Sequence, residues 1–195
     1  MDENFVNYLN FLDKKLKSFF EKQKPYIFCK KGCAKCCKQA HFPYSEAEFK
    51  YLIFGLKKLP KDKRETIEKN IKKTIKDKLN HKEDNYRYNC PFLLNDECSV
   101  YEYRGIICRS FGLMYRDDKG ALKVPFCALQ GQNYSNVLKD KKLSMEEFKK
   151  TGLKQKPLTF SVDYKFLTDD DFAKGFKFSF GKIKQLIDWL IEFYK

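Results

Sequence analysis

The stretch Cys29-Lys30-Lys31-Gly32-Cys33-Ala34-Lys35-Cys36-Cys37 sets four thiols within nine residues. Thiolate is a soft anionic ligand that suits zinc, copper(I) and iron–sulfur clusters. Spacings of two to four residues let one short loop turn several sulfurs inward, and Gly32 supplies the backbone freedom such a loop needs. Cys29, Cys33 and Cys36 satisfy that geometry. Cys37 directly follows Cys36, and neighbouring side chains generally diverge. The pair therefore reads as ligands of different centres, or with one of the two as a free or resolving thiol.

Four further cysteines, Cys90, Cys98, Cys108 and Cys127, follow a charged segment without cysteine, and none comes after Cys127. Eight thiols would be consumed by two four-thiolate zinc sites, or by one cluster plus one zinc. Buried packing explains one or two cysteines well, but not eight at these spacings.

The 195 residues suffice for a single domain, 1–195, with a cysteine-cluster core at about 29–127. Aromatic residues make up 16 % of the chain, so a core is available despite a mean hydropathy of −0.64, and wholesale disorder is excluded. The longest run free of Asp, Glu, Lys and Arg, Val124–Leu138, is too short to span a membrane and is interrupted by Pro125, Gln130, Gly131 and Asn133. The start Met1-Asp2-Glu3-Asn4 lacks the basic and apolar regions of a secretory leader. These features predict a cytoplasmic protein, a setting in which clustered cysteines point to metal or redox chemistry rather than disulfides.

Outside the cysteines, apolar periodicity predicts helices. Phe5, Leu9, Leu12, Leu16 and Phe19–Phe20 mark an N-terminal amphipathic helix over 4–20, closed by Pro25. Ser45-Glu46-Ala47-Glu48 is a capping-box pattern that opens a second helix with Phe49, Leu52, Ile53 and Leu56 on one face. Ile67, Ile71, Ile75 and Leu79 give a third, over 61–79, with a thin apolar seam. Cys90–Cys98 reads as a short turn bringing two thiols together. Arg109–Tyr115 and Ala121–Phe126, joined by Asp117-Asp118-Lys119-Gly120, read as a β-hairpin. A helical segment over 144–195 begins at the capping box Ser144-Met145-Glu146-Glu147, with Gly152 as a stop. It includes a helix N-terminus at Thr168-Asp169-Asp170-Asp171 and ends in a helix carrying Ile183, Leu186, Ile187, Leu190, Ile191 and Tyr194. The predicted fold is α+β and mainly helical: a small cysteine-rich, metal-stapled β element packed against amphipathic helices.

The compound pattern Cys29-x3-Cys33-x2-Cys36-Cys37, Cys90-Pro91-Phe92-Leu93, Cys98-x-Val100-Tyr101-x2-Arg104-x3-Cys108-Arg109-x-Phe111 and Cys127 resembles the YkgJ-type cysteine-cluster proteins, also described as the CxxCxxCC zinc- or iron-chelating domain. The resemblance covers residues 29–127. It implies a metal centre held by the cysteines, as zinc or a [4Fe–4S] cluster. Longer relatives include flagellin lysine N-methylases that use S-adenosylmethionine; only the metal ligands carry over to this shorter chain. The family usually has proline where this chain has Gly105, a departure expected to loosen the local turn. Cys29-x3-Cys33-x2-Cys36 also has the spacing of the radical S-adenosylmethionine motif, but the following segment lacks the alternating strands that a barrel of that class needs.

Only five arginines occur, and Arg87, Arg104, Arg109 and Arg116 fall in the second cysteine region. Arg104 and Arg109 are expected to pair with carboxylates that brace the site, or to offset thiolate charge; an anionic ligand is the sharper alternative. His41, four residues after Cys37, reads as a capping or surface residue in preference to a ligand, and His81, in Asn80-His81-Lys82-Glu83-Asp84, as solvated. Tyr86, Tyr88, Tyr101, Tyr103 and Tyr115 read as core packing rather than a base-stacking platform. Forty Lys and Arg against 26 Asp and Glu, a formal net charge of +14, admit a nucleic-acid partner. The interleaving of lysines with acids along the helices disfavours that reading. No Ser/His/Asp set, phosphate loop or glycine fingerprint is present. The sequence thus predicts a metal-binding protein without assigned catalysis. The alternatives are an iron–sulfur enzyme or accessory protein in redox or methyl-transfer chemistry, and a zinc-stabilised nucleic-acid module.

Overall fold

The N-terminal apolar stripe forms helix α1, Glu3–Gln23, and buries Phe5, Tyr8, Leu9, Leu12 and Leu16. Asp2 caps its first turn by accepting the N–H groups of Asn4 and Phe5. Pro25 lies in the 3₁₀ turn that follows the helix. The computed structural model describes residues 2–30, 32–82, 86–117, 119–159 and 164–195. Asp118 of the hairpin turn and Glu83–Asp84 of the polar stretch lie outside the described residues.

After the first cysteine loop come strand β1, Pro43–Ser45, and helix α2, Glu46–Lys58, opened by the capping box. Helix α3, Lys61–Leu79, has the predicted bounds, and Ile67 and Ile71 seal its seam while Leu79 stays exposed. Strands β2, Leu93–Leu94, and β3, Glu97–Cys98, form a hairpin with Leu93 opposite Cys98. Its two turn residues, Asn95 and Asp96, both have positive φ (50° and 60°), the type I′ geometry that matches strand twist.

Next is helix α4, Ile106–Ser110, which takes Arg109 away from the strand expected there. The predicted hairpin shrinks to β4, Tyr115–Arg116, and β5, Leu122–Lys123. The reason is tertiary: the N–H groups of Gly105 and Ile106 are bound by side chains of β1 and α2, which starts a helical turn where the residue types alone favoured extension.

Strands β6, Leu138–Lys139, and β7, Lys142–Leu143, precede helix α5, Met145–Lys150, whose cap Ser144 accepts the Glu147 N–H. Gly152 follows with φ +68°. Helices α6, Tyr164–Leu167, and α7, Asp170–Lys174, are short, and the N-cap of α7 is Asp169. The last helix, α8, spans Leu186–Tyr194 and is shorter than predicted. Ile183 belongs instead to β8, Ile183–Gln185, which pairs antiparallel with β1, Ile183 opposite Ser45. The segment from 144 onward is thus several short helices and a strand, not one helical block.

The architecture is mainly helical with small antiparallel sheets, each two-stranded among the described residues. The β structure is therefore dispersed and does not form one element. The largest cluster of buried side chains joins α2, α3 and α8 to Phe92 and Val100, and Cys36, Cys90, Cys98 and Cys108 pack against it. A second cluster gathers α1 with Phe178 and Phe180, and a third holds Tyr26, Met114, Tyr134 and Phe148. No described helix is long and apolar enough to cross a membrane.

Candidate metal centre

Asn133, 1 % exposed, anchors the first cysteine loop. Its Oδ1 accepts the N–H groups of Phe28 and Cys29, each at 2.8 Å, and its Nδ2 donates to the Gly112 carbonyl at 2.9 Å. Gly112 sits at φ +102°, and a Cβ there would lie 2.7 Å from that Nδ2, so both backbone conformation and space require glycine. The adjacent Gln132 accepts the Cys33 thiol proton at 3.8 Å, and its N–H donates to the Cys127 carbonyl at 3.0 Å. Lys35 Nζ reaches the Gln130 carbonyl at 2.7 Å. Residues 127–133 thereby run alongside the loop that carries Cys29 and Cys33. Asn133 is not conspicuous in the sequence, where Val124–Leu138 stands out only as an uncharged run; the polar stretch Gln130-Gly131-Gln132-Asn133 inside it is the available signal.

The second region meets the first at Cys37, whose carbonyl accepts the Cys90 N–H at 2.7 Å. The Cys90 carbonyl accepts the Leu93 N–H, and the β2–β3 register returns Cys98 opposite Leu93. Cys36 Sγ and Cys37 Sγ lie 3.9 Å apart, so these neighbouring side chains do not diverge as expected. Turn and 3₁₀ backbone at Cys36–Gln39 brings the two sulfurs together.

Cys108 enters on α4. Its sulfur lies 3.5 Å from the Tyr44 hydroxyl, which accepts the Gly105 N–H at 3.0 Å and keeps its own proton available to a thiolate. Burial, then the Cys108 thiol, hold the Tyr44 pKa well above the usual phenol value, so this hydroxyl stays a donor. Gly105 is not a loosened turn. A Cβ at that position would lie 2.6 Å from the Tyr44 ring and 2.9 Å from Glu48 Oε1, and proline would also lack the N–H that Tyr44 binds. Y44F is expected to leave the Gly105 N–H unpaired and cost about 1–3 kcal/mol, read as a lowered melting temperature.

Glu48 is a second residue whose importance exceeds its local pattern. It is 1 % exposed. Its Oε2 accepts the Ser45 N–H (2.8 Å), the Ser45 hydroxyl (2.7 Å) and the Tyr164 hydroxyl (2.6 Å), while Oε1 accepts the Ile106 N–H (2.7 Å). The capping box identifies its partner Ser45; the reach to α4 is a tertiary contact that no local pattern encodes. Burial pushes its pKa above the usual carboxylate range against the pull of these bonds.

Arg109 ties α4 to α1. Its side chain, 3 % exposed, forms an ion pair with Asp13 of α1 and donates to the carbonyls of Arg104 (3.0 Å, from Nε) and Glu102 (2.7 Å, from Nη2). Lysine cannot serve three acceptors in a plane, so R109K is expected to cost about 2–4 kcal/mol by leaving buried acceptors unpaired. A denaturant midpoint and metal content equal to the parent's would contradict the bracing role. Arg104 acts differently. It lies 3.6 Å above the Tyr101 ring, donates to the Tyr101 carbonyl and favours proton loss at Cys98. Among the described residues it pairs with a carbonyl and a ring and not with a carboxylate, while its effect on Cys98 is in the sense of the other alternative, offsetting thiolate charge.

His41 Nδ1 contacts the Tyr86 carbonyl at 3.3 Å, and His81 is exposed, its ring 5.0 Å from that of Tyr86. Neither is drawn into the thiols. Tyr88 and, partly, Tyr86 and Tyr103 pack on the α2–α3–α8 cluster, while Tyr101 and Tyr115 are exposed.

All eight cysteines are free thiols. Among the described residues no three His, Cys, Asp or Glu side chains converge closely enough to hold one metal ion, so the sulfurs are gathered as neighbours and not closed into a cage. Burial, followed by neighbouring thiols, raises Cys29 and Cys108 to about 12 and Cys127 to about 11. In Cys108 the Tyr44 hydrogen bond opposes that rise. Cys37 is raised chiefly by its hydrogen bond to Cys36, and Cys90 and Cys98 chiefly by burial. Cys36 alone among the shifted thiols is lowered, to about 7, because the Cys37 S–H supports its thiolate.

A family model matches residues 28–128, from one residue before Cys29 to one after Cys127. Its description is CxxCxxCC: putative zinc- or iron-chelating domain. The chain belongs to this family. The matched CxxCxxCC segment covers half of the chain and includes all eight cysteines. No curated protein and no solved structure matches. The CxxCxxCC description fits the donor chemistry: sulfur donors suit zinc and iron–sulfur clusters alike. A buried orphan fits it too. Among the described residues the Tyr88 hydroxyl has no hydrogen-bond partner, and Cys90 and Cys108 are the groups whose ionisation acts on it most. A thiolate or bound sulfide there would accept its proton.

Proposed function

We propose that this chain chelates zinc or an iron–sulfur cluster through Cys29, Cys33, Cys36, Cys37, Cys90, Cys98, Cys108 and Cys127, with no catalytic role assigned. One observation carries the reading: the Cys90–Cys37 backbone hydrogen bond joins two cysteine groups more than fifty residues apart in sequence. A bound cation would supply charge compensation and cross-linking among segments whose strands are only two residues long. The chain's own contribution is to orient the sulfurs: Asn133 holds the Cys29 loop, Tyr44 donates toward Cys108, and Arg109 ties α4 to α1.

Anaerobic purification followed by metal and sulfide analysis tests this. Zinc in a colourless protein is expected for closed thiolate sites, and iron with sulfide plus broad absorbance near about 400 nm for a cluster. Protein that holds neither metal after anaerobic isolation contradicts the proposal.

A second reading, an iron–sulfur enzyme or accessory protein, draws on a cleft of about 830 Å³ with Cys90 in its wall beside Lys38, Lys73, Asp77 and Arg87. If the cleft serves a substrate, a small anionic ligand should perturb the spectrum of the metal-loaded protein. Invariance to acetate, phosphate and citrate would count against it.

A further inference from the structure

We infer that the cleft between α3 and the 86–96 segment binds a small phosphorylated polyhydroxy compound of the sugar-phosphate class, with its phosphate on Lys73 and Arg87 and its hydroxyls on Asp77. The inference takes up the cleft of the second reading above and names its ligand. It requires neither catalysis nor an iron–sulfur cluster.

One wall of the cleft is the face of α3 that carries Asn70, Lys73 and Asp77, residues three and four apart and so on one side of the helix. The other wall is chain held to the first cysteine loop. Tyr88 and Ala40 exchange backbone hydrogen bonds of 2.8 and 3.3 Å, and the Cys90 N–H donates to the Cys37 carbonyl. Tyr88 is buried, while Arg87 and Asn89, at the alternate positions, are exposed and line the cleft. Two cross-ties fix the spacing of the walls: Asn70 Nδ2 donates to the Pro91 carbonyl and the Tyr86 hydroxyl to the Thr74 carbonyl, each at 3.4 Å. The enclosed volume of about 830 Å³ suits a small molecule.

The charges along these walls are unspent. Of the four arginines in the second cysteine region, Arg104, Arg109 and Arg116 donate to carbonyls of the chain. Among the described residues the Arg87 side chain has no partner. Lys73 and Asp77, one turn apart, form no ion pair among the described residues, whereas Lys38 and Asp96 in the same lining neutralise each other at 2.7 Å. Two free cations match the charge of a phosphate monoester, and a planar guanidinium can bind two of its oxygens at once. Asp77 repels an anion but accepts hydroxyl protons, so a ligand that presents both groups satisfies all three side chains. Inorganic phosphate alone leaves Asp77 unused. A nucleobase would meet Tyr86 already stacked on Tyr88 at 5.4 Å and set against His81 at 5.0 Å.

Isothermal titration of the protein as isolated, its metal content assayed separately, tests this with a hexose monophosphate, a pentose monophosphate and glycerol phosphate. Inorganic phosphate, free glucose and a single-stranded oligonucleotide serve as comparisons. At least one phosphorylated polyol should bind more tightly than inorganic phosphate and than glucose. R87A and K73A should each weaken it about tenfold or more, the loss of one hydrogen bond between charged groups. R87K should fall between R87A and wild type, and K57A, which removes an equal charge from α2, should stay within about twofold of wild type. D77N should weaken the phosphorylated polyol while leaving inorganic phosphate as tight or tighter. The side chains of Lys57, Lys73, Asp77 and Arg87 are all exposed, so these variants are expected to fold. No binding by any of the three polyol phosphates at millimolar concentration, equal losses in K57A and R87A, or tightening of every anion alike in D77N would overturn the inference. So would an oligonucleotide that displaces the polyol phosphates from the wild type and binds more tightly than they do. None of these outcomes touches the metal-binding reading, and a sugar phosphate that binds without moving the absorbance of the bound metal counts against the enzyme reading and not against the ligand.

Discussion

E48A is expected to destabilise the fold by about 3–5 kcal/mol, the range for breaking a buried, hydrogen-bonded charged group. Glu48 accepts two backbone N–H groups and two hydroxyls from three parts of the chain, namely Ser45, Ile106 and Tyr164. Truncation leaves a cavity and at least the Ile106 N–H without a partner. The measurement is the denaturant midpoint at unchanged slope; a shift below about 1 kcal/mol would contradict the role. E48Q should also be costly, because its amide nitrogen would face donors. Burial raises the Glu48 pKa above its unfolded value. Its contribution is therefore fully present below the unfolded pKa and declines as pH rises through the folded one. The penalty of E48Q relative to wild type should accordingly be larger at the acid end of that window. Because Glu48 starts the turn that carries Cys108, E48A should also release metal to a chelator faster.

Stripping metal under reducing conditions has an expected effect of similar or greater size. Structural thiolate–zinc sites in small domains are worth about 10–16 kcal/mol of binding free energy at neutral pH. Even a loss of about 5 kcal/mol would lower the melting temperature of a chain this size by about 10–20 °C. The change should be uneven. The α2–α3–α8 cluster rests on aliphatic and aromatic packing, such as Ile67, Ile71, Leu52 and the stacked Phe49–Trp189 pair, so far-UV dichroism should be largely kept. Near-UV tyrosine dichroism should change, because Tyr44 and Tyr88 lie against cysteines. A melting curve indifferent to the chelator would contradict a metal that supports the fold.

These effects separate what local pattern encodes from what it does not. Helices α1, α2 and α3 are legible because apolar spacing and caps act within a few residues: Ser45–Glu48 predicts its own box, and Ile67 and Ile71 their own seam. Ile183 fits the same helical spacing yet pairs with Ser45 in a sheet, a contact about 140 residues away in sequence that periodicity cannot see. Arg109 is singled out by the scarcity of arginine in a lysine-rich chain, although its ion-pair partner Asp13 is not legible. The cysteines announce themselves by spacing. Asn133 and Glu48 do not, because their importance lies in bridging segments rather than in any residue type or interval. Gly105 misleads for the same reason: its small size serves Tyr44 and Glu48, not the turn it occupies.

The central claim, that these eight thiols are held together by metal, is tested most directly by weighing the protein twice after anaerobic isolation. Native mass spectrometry should give a mass above that of the bare chain by bound zinc or by iron with sulfide, and acid denaturation should return the mass of the chain with eight free thiols. Identical masses in the two states, with all eight cysteines open to alkylation in the folded protein, would contradict the account.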